Sequence, residues 1–536
     1  MDTTDKFHDN ELDNTGEDCP TDDCFPVEIV GRKHYTDPEV KVAMNKEIEK
    51  FINFDAVEEV NDVGQYRIPI RWVVTRHEID GKNQPLKARL CVRGDLEDDK
   101  DLVRSDSPTA GKESLKLALM IAANEGFAAK SADVKAAYLQ GLEMSRTVYV
   151  EPPKEANVQE GKLWRLKKAA YGILDGGRMF YLRLVEELEK LGLYKVHSDG
   201  AIFSFVKSGK LHGMVVTHVD DFLLIGDDIF RQEVEEKLQK VFKFSKIESG
   251  TFKYCGCIID IKDNGDIEMN QQSYIENISL VDIPENSDSQ LKPSEMKILR
   301  GKIGEILWIS LMTRPDLSFE VNKISSETSG ASIKTLRQVN SLIVKAKASK
   351  QVVKFTKLGN ISQLVVKLYT DASYRNQDEQ IRSTEGRIVL LENPQNGNVN
   401  IASWKTRKIP RVCRSVKSAE TRALEDGIDE AVHTARLIHE IYAGSIDLKN
   451  PQQIPVFAYT DSKSLWENIN NTKQCEEKLL RNTIAGIKEM IEFGMVKSVG
   501  WVPTEHQLAD CMTKSGLKKK AEWLLEVAST NRLQQK

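Results

Sequence analysis

The chain has 536 residues, too many for one hydrophobic core and enough for roughly two to four domains. Its 40% hydrophobic and 29% charged residues are those of a globular protein, and a formal charge of −5 excludes a uniformly basic nucleic-acid binder. No apolar run reaches membrane-span length, the start lacks a secretory h-region, and the eight cysteines form no Cys-x-x-Cys unit, which excludes a paired-cysteine zinc site and fits a reduced intracellular compartment.

Residues 1–26 hold nine acidic groups and one lysine, and the polar stretch 1–33 reads as a disordered acidic leader. Val40, Met44, Ile48 and Phe51 recur at helical spacing behind an Asp-Pro start, predicting a helix over 37–54. Strands follow at 67–77 and 85–93. In the second, Lys87, Arg89 and Arg93 alternate with apolar residues and share one face, either an exposed strand face or a cationic surface for a triphosphate. A helix is predicted over 112–125, ending before Gly126. A short strand then carries Asp133 to its end, with Tyr138 five residues on. A helix over 179–191 and a strand over 199–205 come next.

The stretch 214–228 has the pattern of two short buried strands joined by a tight turn, with Asp220 and Asp221 at its tip. An adjacent Asp pair is commonly just a turn. Carboxylates between two strands that seek burial are nevertheless costly unless a cation meets them, and a divalent metal is the simplest such partner. Beyond this stretch, residues 230–241 read as a helix. A hairpin over 252–261 and 266–269 turns at Asp263-Asn-Gly265, with Cys255 and Cys257 alternating on its first strand. Residues 291–350 read as mostly helical, with a basic stretch over 334–357.

In the last third, Asp371 and Asp461 each end an apolar strand in near-identical contexts, Leu-Tyr-Thr-Asp-Ala-Ser and Ala-Tyr-Thr-Asp-Ser-Lys. Glu420 lies on the first turn of a helix predicted over 418–442, and Asp510 on a short one over 504–514. Strand ends and helix starts can converge on one point of an α/β sheet. Four carboxylates there would hold two Mg²⁺ ions roughly 3.5–4 Å apart and hydrolyse a phosphodiester. Asp133, Asp220 and Asp221 follow the same logic with a primer 3′-hydroxyl as nucleophile. Tyr138 would then pack against the sugar and exclude a 2′-hydroxyl, or else serve as a core aromatic.

In this order, Asp133-Val-Lys-Ala-Ala-Tyr-Leu-Gln-Gly, Leu166-Lys-Lys-Ala-Ala-Tyr-Gly, His218-Val-Asp-Asp and Thr313-Arg-Pro-Asp resemble the reverse transcriptase of copia-type (Pseudoviridae) LTR retrotransposons. Ser403-Trp-Lys-Thr-Arg-Lys, Ser418-Ala-Glu, Tyr459-Thr-Asp-Ser and Val502-Pro-Thr-Glu-His-Gln-Leu-Ala-Asp resemble the ribonuclease H domain fused behind it. The resemblance covers about residues 37–515. It implies an α+β right-hand polymerase followed by an α/β ribonuclease H-like domain: fingers and palm over 34–290, thumb and connection over 291–360, the ribonuclease H-like domain over 361–520, and a C-terminal tail over 521–536.

The implied function is an RNA-directed DNA polymerase with fused ribonuclease H, which copies retrotransposon RNA into DNA and degrades the RNA of the hybrid. The alternative is a decayed or co-opted relic that binds RNA–DNA hybrids without polymerising. Carried over by motif, Asp133, Asp220 and Asp221 are the polymerase metal ligands, Lys87, Arg89 and Tyr138 contact the nucleotide, and Gly256 falls in the primer grip. Asp371, Glu420, Asp461 and Asp510 are the ribonuclease H carboxylates. Three departures stand out: His218 replaces a tyrosine, Lys417-Ser-Ala-Glu replaces Ser-Ser-Thr-Glu, and Ile173-Leu-Asp-Gly-Gly-Arg replaces Leu-Lys-Gln-Ala-Pro-Arg. The last puts the negative charge of Asp175 where the family's glutamine touches the nucleotide.

The implied cofactor is Mg²⁺, two per active site, or Mn²⁺. The implied partners are an RNA template, a DNA or tRNA primer, RNA–DNA hybrid and dNTPs, with a second copy, the integrase or Gag of the same element as further candidates and no membrane. The implied location is the cytoplasm, in a virus-like particle, or the nucleus. With no Asp-Ser/Thr-Gly protease motif, integrase zinc arrangement or Gag zinc knuckle in the sequence, the chain is expected to be part of a longer polyprotein or a gene model cut from one.

Overall fold

A computed structural model describes residues 27–79, 82–83, 85–98, 100–283, 289–374, 382–446, 454–471 and 475–533. The acidic stretch 1–26 lies outside the described residues. The expected leader is nonetheless shorter than 33 residues, because the alternating segment Val27–Ile29 pairs antiparallel with strand Ile70–Ile79. Edge pairing of a Val-Glu-Ile run outweighs the polar composition around it.

The chain divides into two compact units. The first holds the described residues up to Ser107 together with Ala136–Arg183. Helix Pro38–Asn53 starts with Pro at its first position and buries Val40, Met44, Ile48 and Phe51, the four residues that predicted it. Ile48 and Phe51 pack with Leu90, Val92, Trp164 and Leu166, so the helix and the strands Lys87–Val92 and Lys162–Leu166 share one core.

The second unit holds Pro108–Lys135 and the described residues from Leu184 onward. Its first sheet has six strands in the order Phe244–Ser249, Ala128–Val134, Asp221–Gly226, Lys210–His218, Ile202–Lys207 and Tyr194–Lys195. Helix Lys112–Glu125 forms where its spacing predicted and ends at a left-handed Gly126, φ +69°. The strand expected over 199–205 starts three residues later, because the Asp199 carboxylate accepts from the Ala201 amide and holds a turn. The helix expected over 230–241 contains a π-helical stretch, Arg231–Glu235.

A four-stranded sheet follows, in the order Thr251–Tyr254, Cys257–Ile261, Ile267–Asn270 and Val353–Phe355. Residues 252–261, expected as one strand, are themselves a hairpin. Cys255 and Gly256 both have positive φ, 45° and 69°, and form its two-residue turn. Helices Pro293–Met312, Ser318–Ser326 and Ile333–Lys347 pack around Leu299, Ile306, Val321 and Ile343. The Thr313-Arg-Pro-Asp motif locks this bundle. Arg314 is fully buried, donates to both oxygens of Asp316 at 2.9 Å and reaches the Ala346 carbonyl at 2.7 Å.

The last sheet has five strands, in the order Asn398–Lys408, Thr384–Asn393, Val365–Ser373, Val456–Thr460 and Ser498–Trp501. The first three are antiparallel and the last three parallel. The 28-residue helix Val416–Ala443 lies on it. Buried Trp404 donates to the Ser310 carbonyl at 2.7 Å, and the Lys116 ammonium sits 3.4 Å over its ring while donating to the Leu311 carbonyl. This strand, the Pro293–Met312 helix and the Lys112–Glu125 helix are thereby fastened together.

Two expectations need correcting here. The helix predicted over 504–514 is a pair of 3₁₀ turns, Thr504–His506 and Leu508–Met512. They are separated by Gln507, whose amide donates to the Thr370 carbonyl at 2.9 Å and whose oxygen takes the Ala509 amide. The expected tail 521–536 is largely a helix, Lys518–Thr530, because Leu524, Val527 and Ala528 recur at helical spacing and are buried.

Around the strand that carries Asp371, close approaches at Gly386 and Gly427 depend on glycine. A Cβ on Gly386 would lie 2.5 Å from the Met512 Cβ and 2.8 Å from the Thr513 Cγ2, and one on Gly427 would lie 2.6 Å from the Thr370 Cγ2. Gly386→Ala and Gly427→Ala should each cost about 1–3 kcal/mol. Gly486→Ala, in open space on helix Arg481–Glu492, should gain up to about 1 kcal/mol. Melting midpoints of the three variants test this; similar shifts at all three positions would contradict it.

Candidate active sites

In the second unit, backbone register brings the first carboxylates together. Asp133, next to last on strand Ala128–Val134, is the direct partner of Asp221, which opens the neighbouring strand. Val219 and Asp220 form the two-residue turn before it, Val219 with φ +57°. The Val134 amide holds this turn by donating to the Asp220 carbonyl at 2.9 Å. Like charges directly opposed across a ladder are unfavourable, and a cation between them relieves that. A bulge between Phe244 and Lys246 aims the Ser245 hydroxyl at Asp133, to which it donates. The three side chains do not converge as tightly as those of the second set described below. Buried Tyr254 donates to the Val216 carbonyl at 3.3 Å, tying the Cys255–Gly256 hairpin to the sheet that carries Asp221.

The second set is more compact. Asp371 lies on the central strand Val365–Ser373, and parallel pairing of Thr370 with Thr460 sets Asp461 beside it. Glu420, on the first turns of Val416–Ala443, accepts from the Ala372 amide at 3.3 Å. Asp371, Glu420 and Asp461 each offer an oxygen within 4.8 Å of the others; among the described residues no other three such groups do so. Asp371 is 1% and Glu420 5% exposed, and the Glu420 Oε2 is buried with no hydrogen-bond donor. Burial above all, opposed by Lys514 and reinforced by Asp510, pushes Asp371 up to about 6. Burial, then Asp371 and Asp461, pushes Glu420 well above the carboxylate range. A divalent cation fits this donor set: hard oxygen ligands, an orphaned buried oxygen, and excess negative charge.

Asp510, expected as the fourth ligand, is paired with two lysines. It is 2% exposed, and its oxygens accept from Lys514 at 2.6 Å and from Lys520. Lys514 also donates to Asp371 at 3.3 Å, and the Thr513 hydroxyl donates to the same carboxylate.

A family description, "Reverse transcriptase (RNA-dependent DNA polymerase)", matches residues 54–288. The retrovirus-related Pol polyproteins from transposons RE1 and RE2 of Arabidopsis thaliana are 25% identical over 471 and 470 residues, each covering 83% of this chain. The chain carries a copia-type retrotransposon reverse transcriptase region. It spans 30% of the length of those polyproteins. The solved foamy viral protease-reverse transcriptase dRH, in complex with double-stranded DNA, is similar in fold at 12% identity and TM-score 0.52, over 87% of this chain and 70% of that one. The architecture is a polymerase fold followed by a ribonuclease H-like α/β domain.

The remaining predicted residues lie in the first unit. Lys87 is exposed and Arg89 half-buried on strand Lys87–Val92. Arg89 sits 5.7 Å over the ring of Tyr171, which meets Tyr138 edge-on at 5.0 Å. Tyr138 stands on the 3₁₀ turn Ala137–Gln140. Arg93, expected on the cationic face, instead pairs with Asp95 just past the strand end.

Asp175 corrects the expectation of a bare charge at the nucleotide. It is 4% exposed, and both its oxygens accept from Arg146, at 2.9 and 2.8 Å. Arg146 also pairs with buried Glu97 at 2.5 Å. The substitution is a buried carboxylate held in an ion-pair cluster within its own unit, sharing Arg146 with Glu97.

Sequence reasoning missed Ser245, Thr513, Lys514 and Lys520. Lys514 carried a signal, four residues past Asp510, the spacing of a helical ion pair. Lys520 carried none.

Two measurements check these sites. Arg146→Met strands two buried carboxylates and should cost about 3–5 kcal/mol in denaturant unfolding. The second concerns Asp371. Its native state binds a proton that the unfolded state releases between about pH 4 and pH 6. In chelator, the stability of wild type relative to Asp371→Asn should therefore fall as pH rises across that window and level off above it. Paired melts showing the gap growing with pH would rule this out.

Proposed function

We propose that this chain is an RNA-directed DNA polymerase with a fused ribonuclease H, acting on a primed RNA template and on the resulting hybrid. The observation that carries the reading is the pairing of two separate carboxylate centres in one chain. Asp133 opposes Asp221 in the reverse transcriptase region, and Asp371, Glu420 and Asp461 converge behind it. The double-stranded DNA held by the foamy viral relative in fold supports a nucleic-acid duplex as the substrate class.

In the palm, Asp133, Asp220 and Asp221 would hold Mg²⁺ or Mn²⁺. Ser245 would fix one oxygen of Asp133, leaving the other for the ion. Arg89 and Lys87 would meet the triphosphate, Tyr138 the sugar, and Gly256 the primer strand. In the second centre, Asp371, Glu420 and Asp461 would hold the ion, with Asp510 completing the set. When bound, such ions activate the attacking oxygen and stabilise the leaving one. The residues' own share is pre-organisation. Asp371 is held by a strand and by Thr513, Glu420 by the Ala372 amide, and Asp461 by Thr504, whose hydroxyl donates to it at 3.0 Å. The pairing of Asp175 with Arg146 weakens one of the features that favour a non-polymerising relic.

Primer extension on an RNA template and cleavage of a labelled RNA–DNA hybrid, both with Mg²⁺, test the two halves. Asp220→Asn/Asp221→Asn should lower extension by at least about a thousandfold and leave hybrid cleavage intact. Asp371→Asn should do the reverse. Hybrid binding without either activity in the wild type would return the relic reading.

A further inference from the structure

The nuclease centre carries its own cation. Lys514 spans Asp371 and Asp510, at 3.3 and 2.6 Å, and the second oxygen of Asp510 is taken by Lys520. With all four carboxylates ionised, as metal ligands must be, the two ammonium groups leave two negative charges, the charge of a single divalent ion. The geometry places that ion. Asp371, Glu420 and Asp461 converge within 4.8 Å, and the donorless Glu420 Oε2 belongs to this group. The other flank, between Asp371 and Asp510, is filled by lysine.

The two lysines differ in how they are held. Lys520 is 17% exposed and also donates to the Thr504 and Gln507 carbonyls, so it is built into the turns that carry Asp510. Lys514 is 41% exposed, and among the described residues its ammonium pairs with the two carboxylates alone. A lysine stem swings between rotamers at little cost, and water receives its head readily.

We infer that Lys514 is a displaceable counter-cation: it holds Asp371 and Asp510 in the resting centre and must swing out before a second divalent ion can enter between them. Lys520 does not move and keeps Asp510 in place throughout. The inference rests on the reading of this centre as a metal-dependent nuclease. It makes Lys514 a positioning residue, which sets how many ions the centre holds before nucleic acid arrives.

The test is Mn²⁺ binding to the full chain without nucleic acid, followed by loss of the free-ion electron paramagnetic resonance signal. The palm carries Asp220→Asn/Asp221→Asn so that it does not contribute. With Lys514 present, one ion binds well and a second weakly. Lys514→Met should tighten the second ion at least about tenfold, and Lys514→Arg, which keeps the charge, should titrate like the parent. Lys514→Gln repeats the measurement should the Met variant melt early. A Met or Gln variant that titrates like the parent overturns the inference and leaves the nuclease reading intact. Asp371→Asn in the same background should lose both ions; if it binds Mn²⁺ like the parent, the nuclease reading itself falls and the inference with it.

Discussion

Two ionised carboxylates with oxygens within 4.8 Å of each other repel by at least roughly 3 kcal/mol at an effective dielectric near 20, and burial adds to that cost. Asp371, Glu420 and Asp461 live under this constraint, with Asp510 behind them, and much of the last domain is arranged to hold them despite it. The central strand fixes Asp371, the parallel neighbour fixes Asp461, and the long helix brings Glu420 in over Gly427, where no side chain separates it from the strand. Gly386 makes the matching allowance on the other side, letting the turns that carry Asp510 and Thr513 close over the same strand. A centre so charged has internal cations in its resting state, which accounts for Lys514 and Lys520 being there at all.

The palm meets a milder form of the same constraint by a different route. Asp133 and Asp221 are cross-strand partners, Asp220 rides on a strained two-residue turn, and all three are half-buried and open to water. Solvent screens them, and the hydroxyl of the Ser245 bulge orients Asp133.

Buried ion pairs play a second part elsewhere in the chain. Arg314 with Asp316 locks the three-helix bundle, and Arg146 with Asp175 and Glu97 does the same in the first unit. Both explain motif residues by folding rather than by chemistry. Asp175 looked anomalous in a linear comparison because its partner lies 29 residues away in sequence.

Periodicity and local turn chemistry were legible in the residues themselves: the helices at Pro38–Asn53 and Lys112–Glu125, the tight turn ahead of Asp221, and the strands that carry Asp133 and Asp371 and lead into Asp461. Those features depend on neighbours a few positions apart, so a linear reading contains them. The Cys255–Gly256 reversal and the C-terminal helix were legible in principle, from Gly256 and from Leu524, Val527 and Ala528, but weaker than the composition around them. What only the tertiary structure decided is who neutralises whom. Arg146 reaches Asp175, Lys514 reaches Asp371 across 143 residues, and Lys520 turns an expected tail into a support for Asp510. The reason is physical: a buried charge takes its counter-charge from whatever the packed fold brings within a few ångströms, and sequence distance has no bearing on that.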